Sequence, residues 1–137
     1  MSLKLIHTDL TRFPCDAVVL SSDENLEYGG SVFGLCSSLA GPALHTMLSE
    51  ADGCVTGQAI HIQDSASLSG LRCNHLIITA APFWKDGTQN ETELLKSCYR
   101  SSLDEAVRHG CKKIGISRFE EIHKAFLHAC SKSVYIP

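Results

Sequence analysis

Two short runs, Asp16 to Leu20 (DAVVL) and His75 to Thr79 (HLIIT), carry apolar residues at consecutive positions instead of alternating them with polar ones. A strand projects successive side chains to opposite faces, so a run that is apolar throughout needs cover on both sides. Between and after these runs, Leu35, Leu39, Ala40, Leu44, Met47 and Leu48, and then Leu94, Leu95, Cys98, Tyr99, Leu103, Ala106 and Val107, recur at helical spacing. Strands alternating with helices predict an α/β domain whose ligands lie near the carboxyl ends of the strands.

The remaining elements fit that scheme. Leu3 to His7, Gln58 to Gln63, Lys113 to Ser117 and Ser133 to Ile136 read as further strands. Gly41-Pro42 splits the first helical stretch into two pieces, with Pro42 near the start of the second. Asn90 with Glu93 is placed to cap the helix Glu91 to His109, and Gly110 to end it. Ser117 with Glu120 has the form of a capping box opening a last helix near Arg118, with no loop between strand and helix.

The 137 residues suit one domain, residues 1–137, able to bury a core without staples. Seven cysteines, at 15, 36, 54, 73, 98, 111 and 130, show no Cys-x-x-Cys pair, and an odd number cannot close into a full disulfide set. They read as reduced thiols of an intracellular protein, cytoplasmic or nuclear, acting mostly as small apolar residues. A formal net charge of −3 without a basic face argues against duplex nucleic acid as a partner. No apolar run approaches a membrane span, so no membrane partner is expected.

The stretch NLEYGGSVF, Asn25 to Phe33, places two adjacent glycines between a strand and a helix. Backbone N–H groups of such a loop and of a helix N-terminus can converge on a phosphate where no Cβ blocks the approach. Plain chain reversal would use the same residues. Taken alone, the pair leaves both readings open.

Neighbouring segments change the weighting. Asp16 to Pro42, DAVVLSSDENLEYGGSVFGLCSSLAGP, resembles without a gap the first ligand loop of macrodomains, roughly DAIVNAANxxLxGGGGVDGAIHxAAGP. Gly53 to Ala59 (GCVTGQA) resembles that family's GCxTGEA, Leu76 to Trp84 (LIITAAPFW) its VIHTVGPVW, and Glu93 to Ile116 the helix and strand that follow. The resemblance implies a three-layer α/β/α fold with a central mixed sheet that binds ADP-ribose or a related nucleotide, with ADP-ribosylated protein as a possible partner. It implies that Asp9 accepts from an adenine amino group and that the backbone N–H of Leu10 meets the ring. It also implies that Ser21 and Asp23 lie by the distal ribose, and that Gly29, Gly30, Ser31, Val32 and Phe33 wrap the diphosphate. Without the resemblance, Asp9 reads as a turn or cap residue.

The departures from the family pattern bear most on activity. The family's second Asn is Asp23 here, a group that accepts where Asn donates. The Asp proposed to activate water in de-ADP-ribosylating members is replaced by Phe33, which can neither take a proton nor order water. Phe33 and Tyr28 either wall the pocket or stack on a ligand ring, or they fill apolar space. No glycine follows Gly115, so the second phosphate loop of typical members has no counterpart and the fold is shortened at its C-terminal end.

Other chemistry finds little footing. Ser21-Ser22 lacks the Gly-x-Ser-x-Gly turn of a nucleophile elbow, and His123 and His128, five apart, do not share a helix face. No catalytic residue, metal ligand or cofactor is therefore assigned. The expectation is a weak nucleotide-binding module without hydrolase activity. The alternatives are a macrodomain-like scaffold for protein contact and, third, an ADP-ribosyl hydrolase using Asp23.

Overall fold

The computed structural model describes residues 3–6, 8–27, 29, 31–62, 65, 68, 70–82, 88, 90–117 and 133–136, with the side chains of 31 and 133–136 left aside. Among them are the strands β1 (Lys4–Ile6), β2 (Ala17–Ser22), β3 (Ala59–His61), β4 (His75–Ala80), β5 (Ile114–Ile116) and β6 (Ser133–Ile136). The helices are α1 (Ser31–Ala40), α2 (Pro42–Ala51) and α3 (Glu91–Arg108). The six strands form one sheet in the order β1-β6-β5-β2-β4-β3. β2 runs parallel to both its neighbours, with Ala17 opposite His75 and Ile114. β6 is antiparallel to β1 and β5, and β3 to β4, so the sheet is mixed.

Apolar alternation along β2 and β4 builds two cores. Val18, Leu20, Leu76 and Ile78 pack with Phe33, Cys36, Leu44 and Leu48 of α1 and α2. Ala17, Val19, Ile77, Ile114 and Ile116 pack with Cys98 and Ala106 of α3. Both faces are covered, as the uninterrupted apolar runs require, and the result is a three-layer α/β/α arrangement. Each fully buried Leu or Ile here contributes about 1.5–3 kcal/mol relative to exposure.

Local signals act as expected at most helix ends. Gly41 takes φ 73°, and Pro42 opens α2. At the end of α3, His109 is the C-cap, Gly110 has φ +72°, and the N–H groups of Gly110 and Cys111 donate to the carbonyls of Val107 and Ala106. That pattern is a Schellman closure. The start of α3 differs from expectation. Asn90 is the N-cap residue but adopts φ 61° and makes no side-chain cap bond, so backbone conformation overrides the Asn90/Glu93 capping box.

Ser117 donates both its N–H and its hydroxyl to the Val19 carbonyl. The helix expected from Arg118 and its tight connection lie outside the described residues. Asp16 ties the start of β2 to the approach to β5, accepting from the N–H groups of Lys112 and Lys113 at 2.8 and 2.9 Å. These two bonds hold its carboxyl below the usual range. No described helix is long and apolar enough to cross a membrane.

Six described cysteines are free thiols. Burial pushes Cys15 and Cys36 up to about 12. Because the thiolate is the reactive form, both are expected to react with Ellman's reagent at least a hundredfold more slowly in the native protein than in denaturant. In denaturant, all seven cysteines of the chain should titrate without added reductant. Blocked thiols in the non-reduced, denatured protein would contradict this.

Candidate functional site

β2 runs through the middle of the sheet, and its C-terminal residues lead directly into the glycine-containing loop. Ser22 and Gly29 form an isolated antiparallel bridge, which folds the intervening segment back on the strand end. Inside that turn, Asp23 Oδ1 accepts from the Glu27 N–H at 2.9 Å and the Asp23 carbonyl accepts from the Leu26 N–H at 3.2 Å. Leu26 adopts φ 61° and buries its side chain in the core beneath α1 and α2. Gly29 has a steric role. A Cβ there would overlap the Ser21 carbonyl oxygen and lie 2.7 Å from Cβ and Cγ of Phe33. The loop thus lies directly against the end of β2, and α1 begins two residues later.

The second motif, GCVTGQA, braces this loop. The Cys54 N–H donates to the Glu24 carbonyl at 2.8 Å, and the Thr56 hydroxyl donates to Glu24 Oε1 at 2.9 Å. Thr56 bridges to Ala80 at the end of β4, and the Gly57 N–H donates to the Ala80 carbonyl. Glu24, Cys54 and Thr56 were not singled out from sequence. Their signal was present in the motif, but its purpose depends on a contact between segments some thirty positions apart.

The other candidates fall into distinct environments. Asp9 Oδ1 accepts from both the N–H and the hydroxyl of Thr11, at 3.0 and 2.6 Å, while Arg12 Nε lies 3.7 Å from Oδ2. The Thr11 hydroxyl bond is the main reason that its carboxyl sits below the usual range. Asp9 therefore closes its own turn, and its charge is felt at Cys36 of α1. The Leu10 side chain is buried against Gly115, which leaves its backbone as the group able to meet a ligand. Ser21 is buried, Ser31 opens α1, and Val32 packs partly into the core. Phe33 is 5% exposed within the core cluster, the space-filling role rather than an open ring for stacking. Gly30 and Tyr28 lie outside the described residues.

Two adjoining clefts, of about 340 and 400 Å³, lie between the turn at Leu26 and Glu27 and α2, where His45 and Leu48 line both. Phe33 lines the larger one, whereas Asp9, Leu10, Ser21, Asp23, Gly29 and Val32 line neither. At the other end of the sheet, His61, His75 and His109 bring ring nitrogens within 4.8 Å of one another. The linear spacing of these histidines gives no metal motif. Only the fold brings them together.

A family model described as "Macro domain" matches residues 19–120. A macro domain-containing protein of Chlorobaculum tepidum is 38% identical over 109 residues, covering 80% of this chain and 61% of the relative. One from Lactiplantibacillus plantarum is 34% identical over 116 residues, covering 83% and 64%. The chain thus spans less than two thirds of the length of these relatives. Among solved structures, the macro domain of ganglioside induced differentiation associated protein 2 superposes with a TM-score of 0.72 at 29% identity, covering 80% of this chain and 53% of that one. The Trypanosoma brucei macrodomain in complex with ADP gives 0.67 at 27% identity, covering 80% and 43%.

Proposed function

The chain belongs to the macro domain family, and from that premise we propose that it is a binding module for ADP-ribose or a related nucleotide, weak in affinity and without hydrolase activity. The observation that carries this reading is the Ser22–Gly29 bridge, with Gly29 pressed onto the Ser21 carbonyl. It sets Gly29, which carries no Cβ, beside the start of α1, an arrangement suited to a diphosphate. The T. brucei relative binding ADP is consistent with it. An intracellular location, and the absence of duplex nucleic acid and membrane among the partners, belong to the same reading.

Weakness follows from the sequence after Ile116, which has no glycine to form a second phosphate loop. Each charge-assisted hydrogen bond contributes about 1 kcal/mol or more, so losing two or three lowers affinity by one to three orders of magnitude. The absence of hydrolysis follows from Phe33, whose buried ring stands where the family places a water-activating carboxylate.

Calorimetric titration with ADP-ribose is expected to give a Kd between roughly 10 μM and 1 mM. Gly30→Val is expected to abolish this binding, because a β-branched side chain blocks the backbone approach. Asp9→Ala should cost less and mainly relax the preference for adenine. No heat and no rise in melting temperature at millimolar ADP-ribose would overturn the binding reading. The protein-contact scaffold would then take its place.

A further inference from the structure

We infer that His61, His75 and His109 form a binding site for a divalent zinc ion, at the end of the sheet away from the glycine loop. Three separate elements deliver the ligands. His61 ends β3 and His75 opens β4. In the antiparallel β3–β4 ladder His61 pairs with Ile77, two residues along from His75, so both imidazoles stand on the face of the sheet that Ile77 shares with α3. The Schellman closure of α3 then sets its C-cap residue, His109, over the same spot.

The rings converge closely. His61 Nε2 lies 2.9 Å from His75 Nδ1, the His61 and His109 rings stack with centroids 3.6 Å apart, and the candidate donor atoms all fall within 4.8 Å of one another. Zinc–imidazole bonds of about 2.0–2.1 Å place tetrahedral donors about 3.3 Å apart. The His61–His75 pair must open by a few tenths of an ångström, and the His109 ring must turn out of its stack toward the others. His109 is exposed at a helix end, so that turn is sterically open.

The chemistry of the donors selects the ion. Three imidazoles suit zinc and its late first-row neighbours, whereas calcium and magnesium require oxygen donors. One carboxylate stands near the ligands: Glu105 Oε2 is 3.8 Å from His109 Nε2, and its other oxygen pairs with Arg108. A carboxylate beside a metal-bound imidazole helps to orient it. The exposed side leaves a fourth position for water.

The site is separate from the nucleotide loop. His75 and Ala80 occupy opposite ends of β4, on the order of 16 Å apart at the usual strand rise. An ion here ties the end of α3 to the β3–β4 pair, as a structural clasp.

The test uses tag-free, reduced protein and zinc alone, in competition with a chromogenic chelator at neutral pH. One equivalent should bind and raise the melting temperature, and His75→Gln and His109→Gln should each weaken uptake at least tenfold. His109→Gln lies at an exposed position and should fold normally. In the unsubstituted chain, cobalt as a paramagnetic surrogate should shift the ring signals of His61, His75 and His109 together. Uptake unchanged in both variants would assign the metal to cysteines or other histidines and overturn the inference. So would the absence of saturable uptake, or cobalt shifts confined to other residues.

Discussion

Gly29→Val should lower stability by about 3 kcal/mol or more and remove ADP-ribose binding altogether. The new Cβ would overlap the carbonyl oxygen of Ser21 and press on Phe33 Cβ and Cγ at 2.7 Å. Ser21 belongs to the central strand and pairs with Thr79 of β4, so that oxygen cannot retreat without disturbing the sheet. The loop must move instead, and moving it breaks the Ser22–Gly29 bridge. Overpacking of this kind costs about 1–3 kcal/mol even when some relaxation is possible. The two γ-methyls of Val add to it, and Gly29→Ala should sit at the lower end. Urea unfolding gives the stability change, and titration at a temperature where the variant stays folded gives the binding change. Gly29→Ala that melts and binds like the parent would show that the loop is not pressed on β2.

Phe33→Asp, the substitution that would bring this chain back to the family's water-activating residue, should fail to create a hydrolase and should destabilise the fold by about 4–6 kcal/mol. Phe33 is 5% exposed within the cluster formed by Leu20, Leu26, Cys36 and Leu44. Removing a buried phenyl ring costs about 3–5 kcal/mol. Placing a carboxyl in that cluster adds a desolvation penalty and raises its pKa, which deprives the group of the ionised form needed to order water. The total is comparable with the whole stability of a typical domain. Phe33→Leu, which keeps the site apolar, should cost only about 1–2 kcal/mol and serves as the control. Measurable release of ADP-ribose from a modified carboxylate by a folded Phe33→Asp protein would contradict both parts.

These two outcomes rest on different levels of information. The α/β class and the burial of both sheet faces were legible in DAVVL and HLIIT, because a continuous apolar run on a period-two element leaves no face for water. Among the described residues, the ends of the strands and of α3 fall within two residues of those read from the sequence. Family membership was legible in the ordered motifs around Asp16 to Pro42 and Gly53 to Ala59.

The sequence could not show what each motif residue touches. The resemblance implies that Asp9 accepts from an adenine amino group; in the fold its Oδ1 accepts from the N–H and hydroxyl of Thr11, a local bond of the kind short polar side chains form with residues just ahead. Asn90 reads as a side-chain cap and instead adopts a left-handed backbone without a side-chain cap bond.

By itself the sequence determined what can be read from periodicity and from contiguous motif: the layered α/β class, the family, and the presence of a glycine-bearing loop between β2 and α1. Only the tertiary structure decided that Gly29 is required by a close contact with the Ser21 carbonyl, that Phe33 is core, that Glu24 is clasped by Cys54 and Thr56, and that His61, His75 and His109 share one space. The physical reason is common to all four. Each is a short-range contact between residues whose proximity is created by strand pairing, helix packing or a folded-back loop, and linear spacing carries no trace of such distances.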